Sequence, residues 1–225
     1  MDLAPRLWPA LRAIGVVAVL LAPAPAVTAP ADGPATAALV VLGDSLSAGY
    51  GIRIEDGWVA LLGQRLAAQG YGYRVVNASV SGETTAGGLA RLPRVLDRQR
   101  PAVLIVELGA NDGLRGLPVA ELRRNLAEIV AHARAAGARV LLVGTPLPLN
   151  YGPEYSADYA ASFAAVAGAA RVPLVPSLLD GVAADERNFQ ADRLHPTAAV
   201  QPQLLDTVWR ALVPLLGPRP AARSH

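Results

Sequence analysis

The chain has 225 residues, 52% of them hydrophobic and 17% charged, with a formal net charge of +2. That length suits one compact domain with a sizeable core better than two. No cysteine is present, which excludes thiol nucleophiles, disulfides, iron–sulfur clusters and cysteine-ligated zinc. No lysine is present either, which excludes Schiff-base chemistry and the phosphate-binding lysine of a P-loop. The imidazoles are His132, His195 and the terminal His225, too few for a histidine-rich metal site, so hydroxyls, carboxylates and two useful histidines remain. The arginines are scattered, with no run longer than Arg123–Arg124. Without residues 1–31, which hold Arg6, Arg12 and Asp2, the net charge is +1, so no nucleic-acid partner is expected.

In chain order, Arg6 and Arg12 precede an apolar stretch, Ala13 to Ala22, followed by small residues and proline. Roughly 20 apolar residues span a bilayer, whereas ten suit a secretory signal. Cleavage is expected after Ala26 or Ala29, and the alternative, an uncleaved anchor helix, is opposed by Pro23 and Pro25. The expectation is an exported chain, periplasmic or secreted, without a stable membrane anchor: residues 1–31 as signal and leader, 32–217 as the folded domain, 218–225 as a disordered tail.

Short apolar runs then alternate with helical stretches. Candidate strands are Ala38–Leu42, Tyr73–Ala78, Ala102–Leu108, Arg139–Gly144 and Val172–Val175, nearly continuous in apolar character, as strands buried on both faces are. Trp58, Leu61, Leu62 and Leu66 form one helical stripe; Leu122, Leu126, Ile129, Val130 and Ala133 a second; Val200, Leu204, Val208, Leu212 and Leu215 a third. Pro118 and Gly137 bracket the second, and residues 157–170 are alanine-rich and helix-favouring. The alternation predicts an α/β fold, a three-layer α/β/α sandwich with a mainly five-stranded parallel sheet. Sites in such sheets lie beyond the carboxyl ends of the strands.

Four segments at those ends carry chemistry. Gly43-Asp44-Ser45-Leu46-Ser47 places a serine on a strand-to-helix turn, lifting its hydroxyl out of the sheet. In Ser81-Gly82-Glu83-Thr84 a glycine lets backbone approach a ligand, though Ser81 or Thr84 could equally cap a helix. In Gly109-Ala110-Asn111-Asp112-Gly113 an asparagine could donate to an oxyanion or make an Asx turn. Asp192-Arg193-Leu194-His195 lets a turn bring the carboxylate onto the imidazole. Together these supply nucleophile, base, base-orienter and oxyanion donors. His132, four residues after Glu128, reads as a solvated helix residue. Asp44 and Asp112 read as groups that hold loops.

These segments resemble the SGNH (GDSL) hydrolase family, whose four name-giving residues fall on Ser45, Gly82, Asn111 and His195. The likeness is nearest to the bacterial thioesterase I, lysophospholipase and arylesterase group. It also rests on Gly88-Leu89-Ala90-Arg91-Leu92-Pro93, on Val106 to Gly116, and on Asn150-Tyr151-Gly152. One departure is Arg193-Leu194, where that group usually has a small polar or glycine-containing pair. The resemblance implies a flavodoxin-like SGNH hydrolase fold and hydrolysis of acyl esters and thioesters (aryl esters, lysophospholipids) through an acyl-enzyme. Ser45, Asp192 and His195 would be catalytic, and Ser45, Gly82 and Asn111 would form the oxyanion hole, with no metal or organic cofactor. The segment Glu83–Leu89 corresponds to a substrate-contacting loop of the group, so Glu83 and Thr84 are expected at the substrate. Pro146, Leu147, Pro148, Leu149 and Tyr151 make an apolar wall suited to an acyl chain. The expected partner is a small-molecule or lipid acyl ester, met as a monomer. A carbohydrate O-deacetylase or an acyltransferase on the same fold are the alternatives. More distant is a non-catalytic exported binding protein, in which Ser45→Ala would be harmless.

Overall fold

The structure, a computed structural model, describes residues 36–218; the leader and nearly all of the tail expected from the sequence lie outside them. Five strands, β1 (Ala37–Gly43), β2 (Tyr73–Asn77), β3 (Pro101–Glu107), β4 (Arg139–Val143) and β5 (Leu174–Val175), pair in parallel in the order β2-β1-β3-β4-β5. Register runs Leu39 to Val75, Leu42 to Val106, Ile105 to Leu141 and Val143 to Val175. The helices are α1 (Ser45–Ala48), α2 (Trp58–Ala68), α3 (Thr85–Gln99), α4 (Ala110–Leu114), α5 (Val119–Ala135), α6 (Pro153–Ala170) and α7 (Gln201–Leu212).

Alternating strand residues feed two cores. Val40, Leu42, Leu104, Val106 and Leu142 face Leu92 of α3, Leu122, Leu126 and Ile129 of α5, and Tyr159 and Phe163 of α6. Leu39, Val41, Ile105, Leu141 and Val143 face Trp58, Leu62 and Leu66 of α2 and Leu204, Val208 and Leu212 of α7. Burial of each such side chain stabilises the fold by about 1.5–3 kcal/mol relative to leaving it in water. Central strands covered on both faces must be apolar at every position, hence their near-continuous hydrophobic runs.

The expected strands match within a residue or so, except that Val172 and Pro173 do not join β5. The prolyl nitrogen has no hydrogen to donate, and Val172 N–H bonds back to Ala167 O at 3.0 Å. Helix α3 corresponds to no stripe proposed from the sequence. It contains Gly87, Gly88 and an internal Pro93, all poor helix formers, yet buries Leu92 fully and Gly88 against Leu108. Tertiary packing overrides propensity there. His132 is exposed on α5, as the sequence predicts. Because β1 is followed on one side by β2 and on the other by β3, the chain reverses direction across the sheet between β1 and β3, where a crevice opens at the carboxyl ends.

Candidate active site

The nucleophile candidate sits where β1 passes into α1. A Cβ on Gly43 would lie 2.8 Å from Ser47 Cβ and 3.0 Å from Glu107 Oε2, so the turn closes only around glycine. Asp44 caps α1, accepting the Leu46 N–H at 3.0 Å. Ser45, the first residue of the helix, is half-buried. Beyond β2, Val80 N–H bonds to Gly43 O at 3.0 Å and Glu83 N–H closes a turn onto Val80 O at 3.1 Å. Gly82 takes φ +80° in that turn, a conformation L side chains rarely adopt. Arg115 donates to Gly82 O at 2.8 Å and holds the turn toward the cleft. Beyond β3, Gly109 at φ +123° starts α4 with Phe163 Cζ 2.9 Å from its notional Cβ. Asn111 Nδ2 then donates to Asp44 Oδ2 at 3.2 Å.

The histidine arrives from far along the chain. Between β5 and α7 the backbone folds into a tight loop, with Gln190 N–H on His195 O at 2.8 Å and Thr197 N–H on Asn188 O at 2.8 Å. Gln190 Nε2 donates to Tyr50 O (2.8 Å) and Pro196 O (3.1 Å), tying this loop to the segment after α1. Within it, Asp192 Oδ1 accepts the N–H groups of Leu194 and His195, each at 3.0 Å. Its Oδ2 lies 2.7 Å from His195 Nδ1, and His195 Nε2 lies 2.8 Å from Ser45 Oγ. The Tyr50 ring covers the imidazole at 4.5 Å between centroids. The backbone N–H groups of His195 and Leu194 hold the Asp192 carboxyl down at about 2, so it is ionised at any ordinary pH.

Beneath the nucleophile lies a buried acidic network. Glu107 accepts from Ser47 Oγ at 2.7 Å and Thr145 Oγ1 at 3.3 Å. Burial, followed by the charge of Asp44, pushes Glu107 well above the carboxylate range. Burial likewise pushes Asp44 up to about 6, against the opposing pull of the Leu46 and Asn111 hydrogen bonds. Two neighbouring carboxyls in a dry site cannot both ionise cheaply, so the pair holds a proton. Asp112 is also raised by burial, while it accepts the Thr85 N–H at 2.8 Å and the Thr85 hydroxyl, tying α4 to α3.

A stability prediction follows from Asp44. Its folded value lies above its unfolded 3.8, so the native state binds more protons between those limits. The stability it contributes is complete below about 3.8 and is lost as pH rises through about 6. Asp44→Asn, which cannot ionise, therefore gains stability relative to the unsubstituted chain between pH 4 and 7, by on the order of 2 kcal/mol. Urea midpoints of both proteins at several pH values check this. A difference independent of pH would contradict it.

Ser45, Gly82, Asn111 and His195 line one cleft of about 610 Å³. Its walls include Pro146, Leu147 and Pro148, as the sequence predicts, and also Tyr50, Leu114, Leu179, Ala183, Glu186, Phe189, Arg193 and Leu194. Three residues expected at the substrate serve other contacts. Glu83 pairs with Arg91, Thr84 caps α3 through Gly87 N–H, and the Tyr151 hydroxyl donates to Leu114 O at 2.7 Å. The side chain of Leu149 lies outside the described ones. No pattern marked Phe189 in the sequence, since it stands outside any periodic element.

Residues 41–201 match the model of the GDSL-like lipase/acylhydrolase family. The chain is 53% identical to esterase TesA of Pseudomonas aeruginosa over 79% of its own length and 89% of the relative's. It is 39% identical to thioesterase 1/protease 1/lysophospholipase L1 of Escherichia coli, over 79% and 84%. The crystal structure of the psychrotrophic esterase EstA from Pseudoalteromonas, inhibited by monoethylphosphonate, superimposes with a TM-score of 0.75 at 37% identity, covering 79% of this chain and 97% of that one. The chain belongs to the GDSL-like lipase/acylhydrolase family, and its activity is the hydrolysis of acyl esters.

Proposed function

We propose that Ser45 is the nucleophile of this hydrolysis, His195 its general base and acid, and Asp192 the group that orients His195. The observation that carries this reading is the continuous chain from Asp192 Oδ2 to His195 Nδ1 (2.7 Å) and from His195 Nε2 to Ser45 Oγ (2.8 Å). With the Nδ1 hydrogen committed to the carboxylate, Nε2 is free to accept the serine proton. Ser45 Oγ attacks the acyl carbonyl, the proton passes to Nε2, and Asp192 stabilises the imidazolium. Charge gathering on the carbonyl oxygen is met by the backbone N–H groups of Ser45 and Gly82 and by the amide of Asn111. Asp44 holds that amide in place. The imidazolium then protonates the leaving group, and water, deprotonated by His195, releases the acid.

Substrates on this reading are acyl esters and thioesters, lysophospholipids among them, with the acyl chain against Leu114, Pro146, Leu147 and Pro148. The names of the relatives, esterase and thioesterase/lysophospholipase, support that range, and inhibition of EstA by a phosphonate supports serine chemistry. The chain acts after export, residues 1–31 serving as signal and leader and 32–217 as the hydrolase domain. Arg6, Arg12 and the apolar run after them support export, and no helix among the described residues is long and apolar enough to cross a membrane.

A serine-directed phosphonate tests the proposal. One equivalent should abolish hydrolysis of 4-nitrophenyl butyrate, with the added mass on the peptide containing Ser45. Full activity after treatment, or an adduct on another serine accompanying the loss, would overturn it.

A further inference from the structure

The proton held by His195 must pass to the leaving-group oxygen, so the leaving group lies on the side of Ser45 that faces the imidazole. The wall on that side is the loop carrying His195 itself. Apart from buried Asp44 and His195, the charged side chains lining the cleft are Arg193 and Glu186, both from this segment. The remaining lining is apolar or carries hydroxyl and amide groups, so a guanidinium there is an exception that needs a polar partner.

Arg193 keeps its guanidinium available to a ligand, and its backbone conformation selects the substitution that tests it. Its backbone takes φ +58°, where a glycine would sit without strain and an arginine does not. Its guanidinium stands 4.0 Å from Glu186, beyond hydrogen-bond distance, with 76% and 81% of the two side chains exposed. The other nearby carboxylate, Asp192, is occupied by His195 and two backbone N–H groups. A planar fork of five donors, two residues from the base, is thus presented where the leaving group departs.

We propose that Arg193 makes the enzyme selective for acyl esters whose leaving group bears an anionic oxyacid group (phosphate, sulfonate or carboxylate). Glu186 weakens that selectivity by competing for the same guanidinium. The inference rests on the assignment of Ser45 and His195 above, because that assignment decides which side the leaving group occupies.

The test uses two esters with the same acyl group, 2-nitrophenyl butyrate and its ring-sulfonated form, 4-butyryloxy-3-nitrobenzenesulfonate. The readout is the ratio of kcat/KM for the anionic ester to that for the neutral one. Comparing the ratio between variants cancels the intrinsic reactivity of the two phenols. Arg193→Gly, which suits the backbone at that position, should lower the ratio about three- to fivefold. Glu186→Gln should raise it about twofold, and 0.5 M salt should erode it in the unsubstituted enzyme but not in Arg193→Gly. Opposite shifts are expected only if the two side chains act on substrate charge; loosening of the loop would move both variants in one direction. A ratio unaffected by Arg193→Gly, or variants shifting together, would overturn the inference while leaving Ser45 and His195 in their roles. Failure of the unsubstituted enzyme to hydrolyse either ester would overturn both.

Discussion

Ser45→Ala and His195→Ala each lower kcat for an aryl ester by about 10⁴–10⁶-fold, with the fold intact. The size of the effect follows from the 2.8 Å contact between Ser45 Oγ and His195 Nε2. An alcohol at neutral pH is a poor nucleophile, and only the transfer of its proton to the ring during attack makes it competent. Removing either partner leaves the same deficit, because neither retains a use without the other. Stability should change little by comparison. Ser45 is half-buried at the start of a four-residue helix, and losing one such hydrogen bond costs about 1 kcal/mol. Michaelis kinetics and urea unfolding on the same preparations separate the two effects.

Asn111→Ala is expected to lower kcat by about 10²–10³-fold, with a smaller change in KM. Its amide makes one side-chain hydrogen bond, to the buried Asp44 Oδ2 at 3.2 Å, so the structural loss is about 1–3 kcal/mol. The catalytic loss, about 3–4 kcal/mol, is larger because a donor fixed beforehand meets charge that exists only in the transition state. Of the two roles the sequence left open, the Asx turn is not formed, since the amide bonds to Asp44 instead; magnitude decides whether it also serves as oxyanion donor. A drop of less than about tenfold would leave it only the structural contact with Asp44.

The central residues of the site were legible in the sequence for a geometric reason. In a parallel sheet every strand ends on the same edge, so residues immediately after strands converge wherever the loops lead next. Ser45, Gly82 and Asn111 obey that rule, and their close neighbours Gly43 and Gly109 lie where added atoms would collide. Asp192 and His195 were legible for a local reason, since a spacing of three residues lets one turn join them.

The cleft wall was not legible. Leu179, Ala183, Glu186 and Phe189 lie in turns and in or at the end of a short 3-10 helix after β5, too short for periodicity to tell which side chains face inward. Their direction is set by distant contacts: Leu178 N–H on Gly144 O at 2.8 Å, and Gln190 bridging Tyr50 O and Pro196 O. Glu83, Thr84 and Tyr151 stand in the loops expected to meet substrate, but their polar atoms are taken up by Arg91, the α3 backbone and Leu114 O. The segment Glu83–Leu89, expected as a loop, instead runs into α3 from Thr85 onward, and the direction of its side chains depends on hydrogen bonds from other elements. Helix α3 illustrates the same limit. Its Gly88 admits Leu108 and its proline breaks the pattern, so propensity argues against a helix that core packing requires.

The most direct test of the Ser45–His195 relay compares kcat of the Ser45→Ala/His195→Ala double variant with each single variant on 4-nitrophenyl butyrate. If hydroxyl and imidazole act as one unit, the double variant is no slower than either single variant, within error. Losses that multiply, or a Ser45→Ala protein that still turns over and responds further to His195→Ala, would mean that the two residues work independently and that hydrolysis runs through another group.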